Sequence, residues 1–249
     1  MKKLILSIDQ GTTSSRSILF DLKGKKIFSS QYEFRQIFPN LGWVEHNPEE
    51  IWKVTLRTIK EAIKKSKRLK TKIISIGIAN QRETTILWDK NTGKPVYNAI
   101  VWQDRRTNKI CANLKKRKLE NFFRQKTGLF IDPYFSATKV KWILDNISTS
   151  KKLSKNKQLM FGTIDTFLIW RLTNKKNHLT DATNASRTMM YNINSNKWDD
   201  EILKKLNIPK YILPKVKNSA DDFGITSKKI IGEEIPINAV LGDQQAAAV

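Results

Sequence analysis

Residues 4–20 read LILSIDQGTTSSRSILF. Two apolar runs, residues 4–8 and 17–20, flank a short polar segment that contains Gly11. Aliphatic and β-branched runs of this length favour strands, and a glycine among hydroxyl side chains between them favours a turn. The stretch therefore predicts a β-hairpin with a polar tip. After a turn at Gly24, residues 26–34 alternate roughly in polarity and predict a third antiparallel strand.

The rest of the chain mixes helix and strand signals. Asn47 and Pro48 predict a helix start, since they supply a side-chain cap and a proline at the first helical position. Residues 73–78 predict a buried strand, and residues 84–88 predict a hairpin closed across 89–94. Further helices are predicted over 105–125, 138–146, 164–172 and 199–206, a surface excursion over 148–158, and a last strand over 237–241. Such a mixture around one sheet predicts an α/β domain.

Composition restricts the class of protein. The 249 residues include 46 Lys and Arg against 23 Asp and Glu, a formal charge of +23. The lysines are spread along nearly every predicted helix and turn, which favours solvated helix faces over a nucleic-acid-binding block. The lone Cys111 excludes an internal disulfide and a cysteine-based zinc site, and His46 and His178 lack ligand-like spacing. With no apolar run long enough for a membrane span or a signal peptide, the sequence predicts a cytoplasmic protein.

Residues 9–15 have the composition of a phosphate-binding loop. Gly11 permits close backbone approach, Thr12 and Thr13 add hydroxyl donors, and Asp9 at a strand end suits a hydrated Mg²⁺. An ordinary hydroxyl-rich hairpin turn explains the same residues. Neither the P-loop motif nor the glycine loop of protein kinases is present, which disfavours those two nucleotide-binding folds.

Three other segments place polar or aromatic side chains next to predicted strands. Arg82 and Glu83 follow a buried strand, where they suit a polyol ligand or form an ordinary exposed ion pair. Trp102 and Tyr134 are candidates for the floor of a small pocket, or for the core. Asp243 follows the last strand at a helix start; it can accept a proton from a hydroxyl nucleophile, share a metal, or act only as a cap.

The order of six segments carries more information than any one of them. They are DQGTTSSR (9–16), GWVEH (42–46), NQRETT (80–85), AIVWQ (99–103), DPYFS (132–136) and GDQQAA (242–247). In this order they resemble the glycerol kinases of the FGGY carbohydrate-kinase family, and the similarity extends through 162–166 and 183–188. Other FGGY sugar kinases share the first and last segments, whereas the third and fifth resemble the glycerol-specific versions.

The resemblance implies a fold, an activity and a set of site residues. The fold would be the ribonuclease-H-like (actin-like ATPase) mixed sheet flanked by helices. Residues 1–249 would form the N-terminal domain, with the glycerol pocket and part of the phosphate site. The activity would be ATP-dependent phosphorylation of glycerol to sn-glycerol 3-phosphate, with Mg²⁺ and with Asp243 as general base. Glycerol would contact Arg82, Glu83, Trp102, Tyr134, Asp243 and Gln244; the ATP phosphates would contact Thr12, Thr13, Ser14 and Arg16; Asp9 and Asp243 would hold the metal.

The sequence departs from this family in two places. Family members carry a second lobe with the adenine site, and this chain stops in an Ala-rich helix start without a C-terminal cap. That predicts a truncated chain whose activity on its own is in doubt, and a homo-oligomer for the full-length form. Residues 227–235 are shorter and more acidic than the glycine-rich loop that binds fructose 1,6-bisphosphate in some members, so that inhibition is not expected.

Three alternatives remain at this point. One is another FGGY sugar or polyol kinase. A second is a basic nucleic-acid-binding protein, suggested by the charge of +23, whose affinity would fall steeply with salt. A third is a metal-dependent nuclease on the same fold, which would use Asp9 and Asp243 and would need further clustered carboxylates.

Overall fold

The computed structural model describes residues 1–248 and gives the following elements. The strands are β1 Lys3–Gln10, β2 Ser14–Asp21, β3 Lys26–Glu33, β4 Gln36–Ile37, β5 Glu45–His46, β6 Lys72–Asn80, β7 Ile86–Asp89, β8 Ala99–Ile100, β9 Leu159–Gly162, β10 Leu179–Asp181, β11 Tyr191–Asn192, β12 Lys197–Trp198, β13 Lys215–Lys217 and β14 Ile237–Gly242. The α-helices are α1 Pro48–Arg68, α2 Asn108–Lys116, α3 Glu120–Thr127, α4 Ser136–Asn146, α5 Ser148–Lys155, α6 Ile164–Leu172, α7 Ala182–Ala185, α8 Asp200–Leu206, α9 Lys228–Ile231 and α10 Asp243–Ala246. Short 3₁₀ turns cover Ser186–Thr188 and Lys210–Ile212.

A five-stranded sheet in the order β14-β6-β1-β2-β3 organises the molecule. β14, β6 and β1 run parallel, whereas β2 is antiparallel to both β1 and β3. This is the mixed sheet of the ribonuclease-H-like arrangement, so the predicted fold class is confirmed. The predicted hairpin is also present: Ile8 pairs with Ser17, and Gly11 N–H donates to the Ser14 carbonyl at 2.9 Å across its tip.

Two hydrophobic clusters hold the layers together. In the first, Ile51 and Ile59 of α1 and Phe167 of α6 pack with the sheet residues Leu6 and Ile76. α1 begins where the sequence predicts, because the Asn47 side chain accepts the Glu49 N–H at 2.9 Å. The second cluster joins α2, α3, α4 and α8 to β7 and β9 beside the sheet. Burial of these side chains is the main stabilising term for both layers.

Exposed lysines cover the outer face of α1. Lys53, Lys60 and Lys64 point to solvent, while Thr55, Ile59 and Ile63 are buried on the other side of the same helix. This is the solvated-face arrangement that the spread of basic residues predicts. No helix within the described residues is both long and apolar enough to cross a bilayer.

Three secondary-structure predictions differ from the structure in detail. The helix predicted over 105–125 is two helices, α2 and α3, because Lys118 adopts a left-handed backbone (φ 57°) between them. The hairpin predicted across 89–94 is present but short: the Asp89 N–H donates to the Lys94 carbonyl at 3.0 Å and the Val96 N–H to the Leu87 carbonyl at 2.9 Å, around the bridge between Trp88 and Pro95. The longer ladder of β7 is with β9, which the sequence did not predict. The excursion predicted over 148–158 is largely the helix α5, whose Ser150 hydroxyl bonds back to the Ile143 carbonyl at 2.9 Å.

Two histidines are expected to make the fold acid-sensitive. Burial lowers the pKa of both His46 and His178 to about 4, whereas an unfolded histidine titrates near 6.5. Between these values the unfolded chain binds more protons, so the free energy of unfolding falls as pH drops from about 6.5 toward 4. We expect the urea midpoint to fall over this range by more in the wild type than in a His46→Gln, His178→Gln double variant.

The comparison with the double variant is needed because a buried carboxyl acts in the opposite direction. Burial raises the pKa of Asp165 to about 6, so that group stabilises the fold as pH falls through the same window. Both proteins retain Asp165, and the difference between their urea midpoints therefore reports the histidines. Equal losses in the two proteins would contradict the prediction.

Candidate active site

The carboxyl ends of three parallel strands bring the predicted motifs to one edge of the sheet. Gln10 at the end of β1 aligns with Asn80 at the end of β6, and Asn80 aligns with Gly242 at the end of β14. Because these strand ends are aligned, the segments 9–16, 80–85 and 242–245, which are far apart in the sequence, lie side by side. Ligands of open α/β sheets bind at this edge.

Arg82 is the central side chain of this edge. Its side chain is only 6% exposed, its Nε lies 3.3 Å from Asp243 Oδ1, and its Nη1 donates to Gln245 Oε1 at 3.1 Å. Nε has no hydrogen-bond acceptor within residues 1–248, because the carboxylate of Asp243 is near it but poorly aligned. The Asp243 side chain remains 44% exposed. A buried donor and an accessible carboxylate therefore face the same space.

Gly242 makes room for Arg82. A Cβ on Gly242 would lie 2.4 Å from Arg82 Cδ and 2.7 Å from Arg82 Cγ, closer than nonbonded carbons approach. The glycine has φ −62° and ψ 147°, which any residue adopts, so the close approach alone requires glycine here. β14 therefore passes directly over the arginine that β6 presents.

Glu83 is held in an uncommon backbone conformation. Its φ is 62°, and its carbonyl accepts hydrogen bonds from Ser136 Oγ at 3.0 Å and from the buried Lys139 Nζ at 3.4 Å. Its carboxylate accepts a bond from Arg187 Nε at 2.7 Å. Burial raises the pKa of Glu83 and is the largest influence, opposed by the neighbouring Arg187 and Arg82. A left-handed residue fixed by several partners is a common feature of ligand sites.

Trp102 and Tyr134 form an aromatic wall beside these groups. Their ring centroids are 5.6 Å apart in an edge-to-face arrangement, and both rings are half-buried. Trp102 Nε1 donates to Thr12 Oγ1 at 3.0 Å, which joins the wall to the tip of the first hairpin. The Tyr134 carbonyl accepts a bond from Lys139 Nζ at 2.6 Å. The half-buried rings are therefore not ordinary core residues.

The hairpin tip presents the predicted phosphate-loop residues. Arg16 Nη2 donates to Asp9 Oδ2 at 2.6 Å across the β1–β2 pair, and both side chains are partly exposed. Ser14 Oγ accepts a bond from Gln31 Nε2, whereas Thr13 is exposed. The tip is thus rich in donors, and its shape is fixed by bonds that leave these side chains accessible.

The carboxylates of Asp9 and Asp243 fit a water-rich Mg²⁺ site better than a cage. Asp9 lies at the end of β1 and Asp243 at the end of β14. These two strands flank β6, so their backbones are about 10 Å apart at the usual strand spacing. In the described part of the chain, no three His, Cys, Asp or Glu side chains cluster as metal ligands. Mg²⁺ commonly takes one or two carboxylates with water and phosphate oxygens, so the donor set fits. Among residues 1–248, the further clustered carboxylates that the nuclease alternative needs are not present.

Gln244 lies at the rim of this site. Its side chain is exposed, and its backbone N–H donates to Asp243 Oδ1 at 2.8 Å. The neighbouring Gln245 is the amide that reaches Arg82. The structure therefore places Gln244 beside the other predicted residues without a side-chain contact to them.

Two residues of the site were missed at the level of sequence. Arg187 belongs to segment 183–188, which carries the family resemblance but suggested no role. Lys139 is completely buried, and burial lowers its pKa to about 7. The feature of the sequence that could have indicated Lys139 is its place on the apolar side of helix α4, between Ala137 and Ile143. Both residues hydrogen-bond to Glu83, so both belong to the candidate site.

The comparisons with known proteins agree with this geometry. Residues 4–249 match the family described as "FGGY family of carbohydrate kinases, N-terminal domain". A glycerol kinase of Petrotoga mobilis is 56% identical over 247 residues, which are 99% of this chain and 50% of that protein. The chain spans about half the length of the curated relatives it matches.

Solved structures give the same result. A Plasmodium falciparum glycerol kinase with ADP superimposes with a TM-score of 0.95 at 37% identity, over 99% of this chain and 50% of that one. A gluconate kinase from Lactobacillus acidophilus gives 0.86 at 25% identity, over 98% and 48%. The fold, the motif order and the family match lead to one conclusion: this chain belongs to the FGGY family of carbohydrate kinases.

Proposed function

We propose that this chain provides the glycerol pocket and one wall of the phosphate site of an ATP-dependent glycerol kinase. The observation that carries the proposal is the convergence of Arg82, Glu83 and Asp243 beneath the Trp102–Tyr134 wall. Identity of 56% to a glycerol kinase over 247 residues, 99% of this chain, supports glycerol as the substrate in preference to a sugar. Under this proposal, residues 1–249 form the N-terminal domain of the enzyme.

Each polar group has a role that its chemistry suits. Arg82 Nε, buried and without an acceptor, donates to a glycerol hydroxyl, and the Glu83 carboxylate accepts from one. Tyr134, Asp243 and Gln244 complete the polar contacts, and Trp102 packs against the carbon chain. A site that hydrogen-bonds every hydroxyl rejects analogues that lack one, because its buried groups would be left unpaired.

Asp243 acts as the general base in this proposal. Its accessible carboxylate takes the proton from the glycerol hydroxyl as the hydroxyl oxygen attacks the γ-phosphorus of ATP. The bond from that phosphorus to the bridging oxygen breaks, and ADP leaves with the bond's electron pair. Arg82 orients the carboxylate through the 3.3 Å ion pair. Positioning and charge neutralisation supply most of the rate acceleration in such transfers.

The hairpin tip serves the phosphates. Thr12, Thr13, Ser14 and Arg16 are proposed to contact ATP, and Asp9 and Asp243 to hold Mg²⁺ through water. When bound, Mg²⁺ supplies neutralisation of the charge that develops on the phosphate oxygens. Arg16 also balances the charge of Asp9 through their 2.6 Å bond. A cytoplasmic location, a homo-oligomeric full-length form and the lack of inhibition by fructose 1,6-bisphosphate stay predictions.

A coupled assay of the complete gene product tests the substrate. ADP release is measured with glycerol, xylulose and gluconate in turn, each with and without Mg²⁺. We expect turnover with glycerol that requires Mg²⁺. Turnover of xylulose or gluconate with none of glycerol would reject the substrate assignment and favour another FGGY sugar kinase.

A further inference from the structure

A buried carboxylate behind the candidate site has an unusual set of partners. Asp181, at the end of β10, is completely buried. It accepts five hydrogen bonds, from the N–H and Oγ1 of Thr183, the N–H and Nδ2 of Asn184, and Ser219 Oγ, at 2.7 to 3.0 Å. No cationic side chain of residues 1–248 forms a salt bridge with it. Capping the four-residue helix α7 accounts only for the two backbone bonds.

The remaining partners of Asp181 lead to the strand that carries Asp243. Thr183 Oγ1 donates to Asp181 and at the same time accepts the N–H of Gly242 at 2.8 Å, immediately before Asp243. Ser219 donates its hydroxyl to Asp181, while its carbonyl accepts the N–H of Val240 at 2.9 Å. Asp181 is therefore connected to the end of β14 at two points, to Gly242 through Thr183 and to Val240 through Ser219.

A third partner of Asp181 leads to the strand that carries Arg82. Asn184 Nδ2 donates to Asp181, and the side-chain amides of Asn184 and Asn80 bond reciprocally at 2.9 and 3.1 Å. Asn80 is the last residue of β6, two positions before Arg82. One buried carboxylate thus connects the two strand ends whose side chains form the 3.3 Å contact in the candidate site.

We propose that Asp181, acting through the hydroxyl of Thr183, is a positioning residue that fixes the Gly242–Asp243 backbone and so aligns the Asp243 carboxylate for catalysis. The inference rests on the proposed function. In the path from Asp181 through Thr183 to Gly242, a substitution of Thr183 removes the bond to the Gly242 N–H without altering Asp181 itself. Because a displacement of about 1 Å costs roughly a hundredfold in rate, loss of this bond acts on kcat.

Three variants of the complete gene product separate positioning from plain structural support. Thr183→Val removes the acceptor of the Gly242 N–H, and Thr183→Ser retains it. Thr180→Val is the matched control: Thr180 lies on β10 next to Asp181, and the variant loses a buried hydroxyl bond of 2.6 Å to Asp165. Within residues 1–248, the side chain of Asp165 bonds to Thr163 and Thr180 and not to the ends of β6 or β14. Each variant is characterised by kcat, by KM for glycerol, by melting temperature and by hydrogen exchange of the Gly242 amide.

We expect Thr183→Val to lower kcat by about 10- to 100-fold while KM for glycerol changes by less than about threefold, since the ground-state contacts remain. Its Gly242 amide should exchange faster than in the wild type. Thr183→Ser should restore both properties. Thr180→Val should lower the melting temperature and leave kcat and the Gly242 exchange unchanged.

Two results would overturn the inference. One is a Thr183→Val variant with wild-type kcat or with unchanged exchange at Gly242. The other is an equal loss of kcat in Thr180→Val, which would show that any weakening of this region has the same effect. A wild-type protein without glycerol turnover would instead reject the proposed function, and the inference with it, whereas the exchange data report the hydrogen bond independently of activity.

Discussion

Replacing Asp243 by Asn is expected to lower kcat for glycerol phosphorylation by about 10²- to 10⁴-fold, the usual contribution of a general base. Asn has the same shape, so the turn into α10 and the packing of Arg82 against Gly242 should persist. Its amide cannot take the proton of the attacking hydroxyl at neutral pH. KM for glycerol should change far less than kcat, because Arg82 and Glu83 still bind the hydroxyls. Steady-state kinetics of the complete gene product measure both constants.

Asp200→Asn is the control for this substitution. Asp200 lies at the start of α8, and its side chain is 70% exposed. Asp200→Asn removes one negative charge, as Asp243→Asn does, but at a position outside the candidate site. The control should keep wild-type kcat. If Asp243→Asn retains more than about a tenth of the wild-type kcat, Asp243 is not the base. Equal binding of DNA by wild type and variant, with no kinase activity in either, would favour the nucleic-acid-binding alternative.

Replacing Gly242 by Ala is expected to raise KM for glycerol by about 10- to 100-fold, the range of a hydrogen bond to a charged group. The added Cβ would lie 2.4 Å from Arg82 Cδ and 2.9 Å from Gln245 Oε1. Since the backbone angles suit alanine, the strand can keep its conformation and Arg82 has to move. The donor that Arg82 aims at the substrate is then lost. Glycerol titration in the coupled assay gives KM, and thermal melting reports the fold.

Gly77→Ala is the matched control in the neighbouring strand. A Cβ on Gly77 of β6 would meet the Ala239 Cβ at 3.8 Å, an ordinary van der Waals contact. This variant should therefore keep the wild-type KM and melting temperature. A Gly242→Ala variant with KM within about twofold of the wild type would show that Arg82 does not donate to glycerol.

Local patterns in the sequence predict most of the fold. The hairpin over residues 4–20 follows from two apolar runs around Gly11, and the helix Ile164–Leu172 has the bounds that its apolar run indicates. The last strand, predicted over 237–241, ends one residue later. These features depend on side chains within a few positions of each other. The same locality explains the errors: Lys118 ends a helix by its own left-handed backbone, which no neighbouring residue signals.

The residues of the candidate site are likewise of two kinds: those that local sequence patterns indicate and those that only the folded structure brings together. Arg82, Glu83 and Asp243 are predictable because each follows a buried strand, and parallel strands bring their carboxyl ends to one edge. Arg187 is 104 residues from Glu83 in sequence, and nothing near either residue indicates that they pair. The positive φ of Glu83 is equally hidden, since a glutamate seldom adopts it without a surrounding structure that holds it.

The sequence by itself therefore determined the five strands of the main sheet, the helices α1, α4, α6 and α8, the polar hairpin tip and the family resemblance. Tertiary structure alone decided that β7 pairs with β9, that Lys139 and Arg187 hold Glu83, and that Asp181 connects the ends of β6 and β14. The physical reason is range. Strand and turn signals act between neighbouring residues, whereas a buried ion pair or hydrogen-bond network exists only after the sheet has brought distant segments together and excluded water from between them.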